Sequence, residues 1–432
     1  MTINEYRLTF DNPERWFADE VMKGYHTSRI ANVRQNKDYL ARIHKVLNRE
    51  NSQYKGKELV TRKTILQYAK TVLNFHSTYL LGKQVSLSGD EAIVKQFNDI
   101  YKKGLYSTTD FEILDRVNKF GDAFEYTYID NGKIKSKVFD SAESYPVYTD
   151  NGEYVAFIEH WTDAYSAISY YNVYYPDRVD KWSNEGGYEK LVESKVNLSG
   201  LPIHYHNFND SDYNFGESML ADIVPILDEL EDIISKMGDA IYINSLNPLP
   251  VAIGQRVDSS IPADATGYVL NMDTGSFDYA TATMDYNTIK LYLDNVKQFL
   301  NDIASMPSVI SGNSNVSNVS EVTLSMLFHM ANIKAMETEK WLNKGMQERF
   351  TQFKALLNRL NINVDGNIDI EYNLSIPIAM NEVINNLKAL REMNAISIDT
   401  VMEKSEYIRD TAIEKNRIAS ESNRVEQDNK QV

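Results

Sequence analysis

Histidines at alternate positions, carboxylates crowded on one helix and serines beside glycine are the side chains whose types and spacing admit chemistry in this sequence. His204 and His206, in GLPIHYHNFN, alternate along a strand and share one face, where two imidazoles could begin a metal site. Two ligands are too few, and spacing places no third histidine or acid with them, so the expectation is half-exposed strand histidines and no metal. Glu217, Asp222, Asp228, Glu229, Glu231, Asp232 and Asp239 crowd one helical segment, and a two-metal nuclease needs clustered carboxylates. Asp228, Glu229, Glu231 and Asp232, however, spread over the side opposite the apolar stripe, the pattern of a solvated face. Serines are plentiful, but neither a G-x-S-x-G elbow nor a helical H-E-x-x-H occurs. Gly82-Lys83 is no phosphate loop, because the glycine required five positions before Gly82 is Ser77. The sequence points to no catalytic residue, no cofactor and no enzyme activity. His329, on a long helix, is expected to be a helix-contact residue.

The elements around these residues follow from periodicity. NFGESMLADIVPILDELEDIISKMGDAIYI places Ile223, Leu227, Leu230, Ile234, Met237 and Ile241 on one helical face, with Pro225 acceptable only if the helix starts close by. Residues 246–283, rich in Gly, Pro, Thr and β-formers, read as a small β-rich excursion. A second helix carries Ile289, Leu293, Val296, Leu300 and Ile303 at spacings of three and four and ends at Pro307. Then comes the polar loop PSVISGNSNVSNVS, after which Asn318 and Glu321 form a capping-box pattern. From Val322 to Leu360 no proline intervenes, and Leu342, Met346, Phe350, Phe353, Leu357 and Leu360 keep the helical period. An unbroken rod of that span is about 60 Å long at about 1.5 Å per residue, too long for one ordinary domain to pack, so it needs neighbours.

Upstream, residues 11–50 hold mixed-charge helical segments, Ile65 to Leu80 form an apolar helix closed by Gly82, and Leu105 to Lys119 read as another helix. From Phe124 to His206 the period changes to two, with Asn131-Gly132 and Asn151-Gly152 as hairpin signals and a tyrosine-rich stretch continuing the sheet. Those tyrosines are expected as half-buried packing residues. Downstream, Ile368 to Leu374 alternate as a short strand, and Asn381 to Met393 and Asp399 to Lys404 read as helices before a polar, charged tail.

With 432 residues, 43% hydrophobic, the chain is long enough for two or three cores. It has no cysteine, which excludes disulfides and thiolate metal sites. No stretch approaches the roughly 20 apolar residues of a membrane span, and the first residues carry acids where a signal peptide would be basic, so the expectation is a soluble, unexported protein with no membrane partner. Its net charge of −16 is the wrong sign for gripping DNA; a solvated acidic surface that keeps a protein soluble explains it by itself, and it also suits a wall along which DNA slides, since repulsion lowers friction.

The order of these pieces resembles the portal (head-tail connector) proteins of tailed bacteriophages, siphophage type. The resemblance rests on GLPIHYHNFN followed by FGESMLADIVPILDEL, on SNVSEVTLSMLF, on MQERFTQFKALL, and on IDIEYNLSIP preceding NAISIDTVMEKSEYIRD and AIEKNRIASES. It spans residues 10–422 and implies an α+β fold assembling into a ring, with mainly helical stem and crown. The β-rich wing would be 1–215, the stem helices 216–245 and 284–306, and the small β-containing clip 246–283. A tunnel loop at 307–320, a long helix with a return strand to the wing at 321–374, and crown-like helices and tail at 375–432 complete the division.

The resemblance implies a viral portal at one capsid vertex, in the virion and assembled in host cytoplasm. About twelve copies would surround a channel through which double-stranded DNA is packaged and ejected without sequence specificity. Its implied partners are the terminase large subunit, the head-tail adaptor, and the scaffold and major capsid proteins. In the tunnel loop Ser311, Gly312, Asn313, Ser314, Asn315, Ser317 and Asn318 offer uncharged groups that touch phosphates weakly, with Gly312 allowing bending. Lys334, Lys340 and Lys344 could face the channel, or form helix-surface pairs such as Glu337 with Lys340 or Lys344. The alternative is a helical virion scaffold or interaction protein without a channel.

Overall fold

A computed structural model describes residues 1–54, 56–246, 248–254, 274–280, 285–307, 326–375 and 380–405, with scattered positions between 408 and 420. Two compact units emerge, Met1–Val316 with Leu327–Ser375, and Ser317–Met326 with Ile376–Val432. The first runs α1 (Ile3–Arg7), α2 (Trp16–Glu20), α3 (Gly24–Leu40), β1 (Ser52–Tyr54), β2 (Lys57–Leu59), α4 (Tyr68–Leu81), β3 (Ser86–Gly89), α5 (Glu91–Gly104) and α6 (Tyr106–Phe120). Eight strands follow: β4 (Asp122–Asp130), β5 (Lys133–Val138), β6 (Ser144–Tyr148), β7 (Tyr154–Thr162), β8 (Ser169–Tyr174), β9 (Arg178–Ser183), β10 (Lys190–Val196) and β11 (Ile203–His206). Then come α7 (Leu220–Ile241), β12 (Leu249–Ile253), β13 (Ser276–Ala280), α8 (Tyr286–Ile303), α9 (His329–Arg359) and β14 (Ile368–Glu371). The second unit holds α10 (Met380–Glu392) and α11 (Ile398–Lys404).

The period-two region folds as an antiparallel meander in the order β10-β9-β8-β7-β6, beside a three-stranded sheet in the order β11-β4-β5. At the β4–β5 turn Asp130 pairs with Lys133, and Asn131 and Gly132 take φ of 50° and 72°. This is the two-residue turn whose twist matches the strands. Asn151-Gly152 closes a longer turn instead. Thr149 and Glu153 bracket three residues, only Gly152 is left-handed (φ 77°), and Gly152 N–H donates to Thr149 O at 2.8 Å. Beyond the turn Val155 is left without a cross-strand partner, so the register shifts between Val147 and Tyr148.

The meander buries its inner face under α1 and α2, where Trp16 and Phe17 lie against Val147, Ile158, Tyr171 and Val173. Tyr145, Tyr171 and Tyr175 are buried here, and Tyr174 is buried in a separate cluster with Phe124, Phe139 and Phe157, deeper than the half-burial expected of strand tyrosines. Tyr126, Tyr128, Tyr148, Tyr154 and Tyr170 are half-buried as expected. Under this layer the Glu20 carboxylate is fully buried, yet Tyr6 O–H (2.8 Å), Tyr25 O–H and Lys23 donate to it, and His26 lies 3.3 Å away. Burial pushes its pKa up, but the His26, Lys23 and tyrosine donors win and hold it at about 2, below the usual 4.5. A carboxylate with a depressed folded pKa stabilises the fold above its unfolded pKa and loses that stabilisation as pH falls toward the folded value. Stability is therefore expected to drop between about pH 4.5 and 2 by about 2–3 kcal/mol from this group. Urea titrations of wild type and Glu20→Gln check this, and equal pH slopes would rule it out.

The helical layer is knit by α9. Leu342, Met346, Phe350, Phe353 and Leu357, the stripe read from the sequence, are buried within the same chain, with Phe97 of α5 against Phe350 and Phe353 at ring distances of 5.4 and 5.6 Å. Most of the helix thus needs no second molecule to cover it. The helical run is interrupted at Phe328: Met326 and Leu327 are helical, Phe328 is a turn residue whose buried ring stacks on Tyr79 of α4, and α9 continues from His329. The Asn318/Glu321 pattern lies outside the described residues. Between α9 and the sheet, fully buried Arg349 donates from Nε to Glu125 at 2.8 Å and from Nη1 to Asp110, while Tyr205 O–H donates to Glu125 at 2.6 Å. One guanidinium thus serves two buried acids. Burial raises the Asp110 carboxyl to about 6 against the opposing pull of Arg349.

Candidate functional site

Helices α7 and α8 pack together, and between them in sequence β12 pairs antiparallel with β13 in a register that runs from Leu249↔Ala280 to Ile253↔Ser276. Leu220, Ile223, Leu227 and Leu230 of α7 are buried, with Leu300 and Ala304 of α8 and Val72 and Leu73 of α4 in the same core. Pro225 lies in the second turn of α7, not at its start, because the helix begins five residues earlier. Its missing N–H forfeits the bond to Ala221 O, a loss the packed inner face tolerates.

Just before α7, the chain is seated by contact between two glycines. A Cβ on Gly216 would lie 2.2 Å from the Gly121 carbonyl oxygen, and one on Gly121 would lie 2.4 Å from that of Gly216. Asp122 beside them is fully buried and accepts from Gly216 N–H (2.9 Å) and His204 Nε2 (2.8 Å), and Tyr148 O–H meets His204 Nδ1 at 2.7 Å. Met219 N–H and Ser218 O–H complete the seat on Asn118 and Lys119 carbonyls at 3.0 and 2.7 Å. His204 and His206 are therefore buried, against the expectation of half-exposure. His204 spends its nitrogens on Asp122 and Tyr148, and His206 packs on Trp341 at a ring distance of 4.9 Å.

Lower down, Glu231 departs from the solvated acidic face. It is fully buried, within 2.8 Å of His44 Nδ1, and accepts from Leu66 N–H at 2.7 Å. Its helical angle lies near the apolar stripe, where α7 meets the segment after α3. Arg49 adds an ion pair to Asp239 at 3.1 Å, and Asp239 also accepts from Arg62 N–H at 2.9 Å. Asp222 and Glu229 stay exposed. Among the described residues no group of three or more His, Cys, Asp or Glu is arranged to hold a metal ion. No helix among them is long and apolar enough to cross a membrane.

Helix α4 fixes the chain on both sides of segment 308–325. His76 Nε2 donates to Ala304 O, the last turn of α8, at 2.7 Å, and burial lowers its pKa to about 4, so the ring is neutral. Tyr79 O–H donates to Asn332 in the first turn of α9. These anchors escaped the sequence reading, since nothing local marks His76 or Tyr79; their spacing of three on one helix face was the available signal. Ser311, Gly312, Asn313, Ser314, Asn315, Ser317 and Asn318 lie outside the described residues. Lys334 pairs with Glu337 at 2.9 Å and borders a 230 Å³ cavity with Met219, Ile303 and Ile333. Glu337 thus pairs one turn back, not forward, and Lys340 and Lys344 are exposed without an ion pair among the described residues. His329 is exposed within the chain.

Much of the apolar surface of α8 and of the start of α9 has no cover among the described residues. Tyr286, Leu291, Phe299 and Ile303 of α8 are 69, 63, 58 and 52% exposed. On a helical wheel Tyr292, Phe299 and Ile303 form a stripe flanking the line of half-buried Ile289 and Leu293 and buried Val296 and Leu300. Near the start of α9, Met330, Ile333 and Met336 are 51, 48 and 57% exposed.

Comparison with known proteins yields a match of residues 19–428 to the family described as phage portal protein, SPP1 Gp6-like. Uncharacterized protein 043L of Invertebrate iridescent virus 6 is 31% identical over 94 residues, 19% of this chain and 81% of that protein. Among solved structures, a chain from the neck of an empty GTA particle computed with C6 symmetry gives a TM-score of 0.46 at 12% identity, covering 76% of this chain and 86% of that one. A chain from the neck of a native GTA particle computed with C12 symmetry gives 0.42 at 13% identity, covering 79% and 89%.

Proposed function

Because the chain belongs to the SPP1 Gp6-like family of phage portal proteins, we propose that about twelve copies close head to tail into a ring around a DNA channel at one capsid vertex. The family match over residues 19–428 carries this reading. The uncovered stripe of α8 supports it: an apolar helix face left in water is stabilised when a neighbour buries it, and a repeated heterologous contact with fixed rotation closes a ring. In this reading α7 and α8 are the stem, and the 246–283 excursion with its hairpin is the clip, meeting the terminase large subunit during packaging and the head-tail adaptor afterwards. Residues 1–215 are the wing, and the helices after 375 the crown. The loop 307–320 lines the narrowest part of the tunnel, with Lys340 and Lys344 toward passing phosphates, held by charge alone and so without sequence preference. Scaffold and major capsid proteins surround the ring in the particle. The protein positions DNA and performs no chemistry of its own.

Electron microscopy with a mass measurement of the purified protein tests the ring. A central hole and a mass of about 600 kDa, the value for about twelve closed copies, are expected. A uniform monomer that stays so with scaffold and coat proteins present would favour an interaction protein without a channel. Replacing residues 311–318 by a shorter loop is expected to leave the ring intact and abolish DNA packaging. Normal packaging by that ring would sink the tunnel role.

A further inference from the structure

We propose that the cleft between α5, the β4–β5 turn and the C-terminal end of α9 docks an acidic, amphipathic segment of a partner protein. The cleft holds 310 Å³. Its floor is aliphatic, with Ile100, Ile134 and Leu357 buried, and Ile362 is 40% exposed at its edge. That volume lies at the low end of roughly 300–1,000 Å³ ligand pockets, and it has the form in which apolar side chains from one face of a helix are seated.

The rim is cationic although the chain carries a net −16. Lys103 and Lys133 line it, and Lys95 and Lys102 are exposed on α5 beside it. The one carboxylate on the rim, Asp99, bonds Lys103 at 2.9 Å, and its pKa is held below the usual range first by that bond and then by Lys102 and Lys95. The lining carries two lysines against one aspartate; Lys133 on it and Lys95 and Lys102 beside it make no ion pair among the described residues, while the neighbouring Asp130 is taken up by Lys135 at 2.6 Å. An aliphatic floor under an unneutralised cationic rim complements leucine-like anchors flanked by carboxylates. Nucleic acid fits less well, because the lining has no aromatic ring on which a base could stack.

A second feature marks the same edge. Leu105, two residues after Lys103, is left-handed (φ 58°, ψ 38°) and 71% exposed. That conformation favours glycine, yet Gly104 does not adopt it. Gly104 is packed: a Cβ there would lie 2.4 Å from the Tyr106 ring and 3.0 Å from Ile134 O. The chain thus keeps an unfavourable leucine in water next to the cleft, where a docked helix would cover it.

Fluorescence anisotropy of the full-length protein tests the site independently of ring formation. The probe is a fluorescein-labelled peptide of about four helical turns, with leucines along one face and glutamates elsewhere. A control peptide carries lysine for each glutamate. The acidic peptide is expected to bind with an affinity that falls as salt rises, the basic peptide not at all. Lys102→Glu with Lys133→Glu is expected to weaken binding at least about tenfold. Leu105→Gly, which relieves the left-handed leucine, is expected to melt no lower than wild type and still lose several-fold in affinity. No binding of the acidic peptide, equal binding of both peptides, or wild-type affinity in the lysine variant would overturn the proposal. So would a DNA duplex competing for the same lysines, or a change in self-association on mutating them, which would assign the surface to phosphates or to a second copy.

Discussion

Arg349→Ala is expected to destabilise the protein by about 3–5 kcal/mol near neutral pH, because it leaves Asp110 and Glu125 buried without their guanidinium. The cost is in the abandoned carboxylates more than in the lost ion pair, and this sets the pH dependence. Burial already holds Asp110 at about 6 with Arg349 opposing; without the cation the Asp110 carboxyl moves further up. An acid whose folded pKa exceeds its unfolded value is best tolerated when protonated, and its penalty grows as pH rises through the folded value. The deficit is therefore greatest at neutral pH and shrinks on acidification below about pH 6. Urea unfolding of wild type and variant at both pH values measures it. Combining Arg349→Met with Asp110→Asn and Glu125→Gln is expected to recover most of the loss. A deficit independent of pH, or an unrescued triple variant, would assign the role of Arg349 to packing alone.

Phe299→Asp is expected to abolish ring assembly while leaving the subunit folded. Its ring is 58% exposed in the isolated chain, so the substitution costs the monomer little. In an assembled ring the same position loses about 1.5–3 kcal/mol of apolar burial and gains a desolvated charge, and the loss repeats at each of about twelve contacts. Sedimentation should show monomer in place of ring, with the thermal midpoint unchanged. Intact rings would place the subunit contact elsewhere than on the α8 stripe.

What could be read from the sequence follows the range of the interactions involved. Asn131-Gly132 encodes its turn in two residues, and a local period encodes the buried stripe of α9 and the extent of α8, though Ile303 of the α8 stripe is exposed. Phe328 shows a local departure from such a pattern: the helical period runs through it, but it is a turn residue between helical Leu327 and His329, its ring stacked on Tyr79. The buried polar groups were the least legible. Arg349 meets Asp110 across more than 200 residues, and nothing in either neighbourhood marks a pair. Glu231 looked like one more acid on a charged face, and only the approach of His44 and Leu66 makes it internal. His204 and His206 were correctly placed on a common strand, but their burial depends on which sheet covers that strand.

The closure of the first unit also sets an order in time. Asp110 and Glu125 are synthesised more than 200 residues before Arg349 neutralises them, and β3 must wait as long for β14, since Ser86 to Gly89 pair with residues 368–371. At about 5–20 residues per second the nascent N-terminal part spends on the order of 10–50 s with two carboxylates unpaired and a strand edge open. Within the first unit the last-made helix, α9, is therefore also its keystone. A chain truncated before α9 should be held by chaperones or aggregate rather than fold on its own.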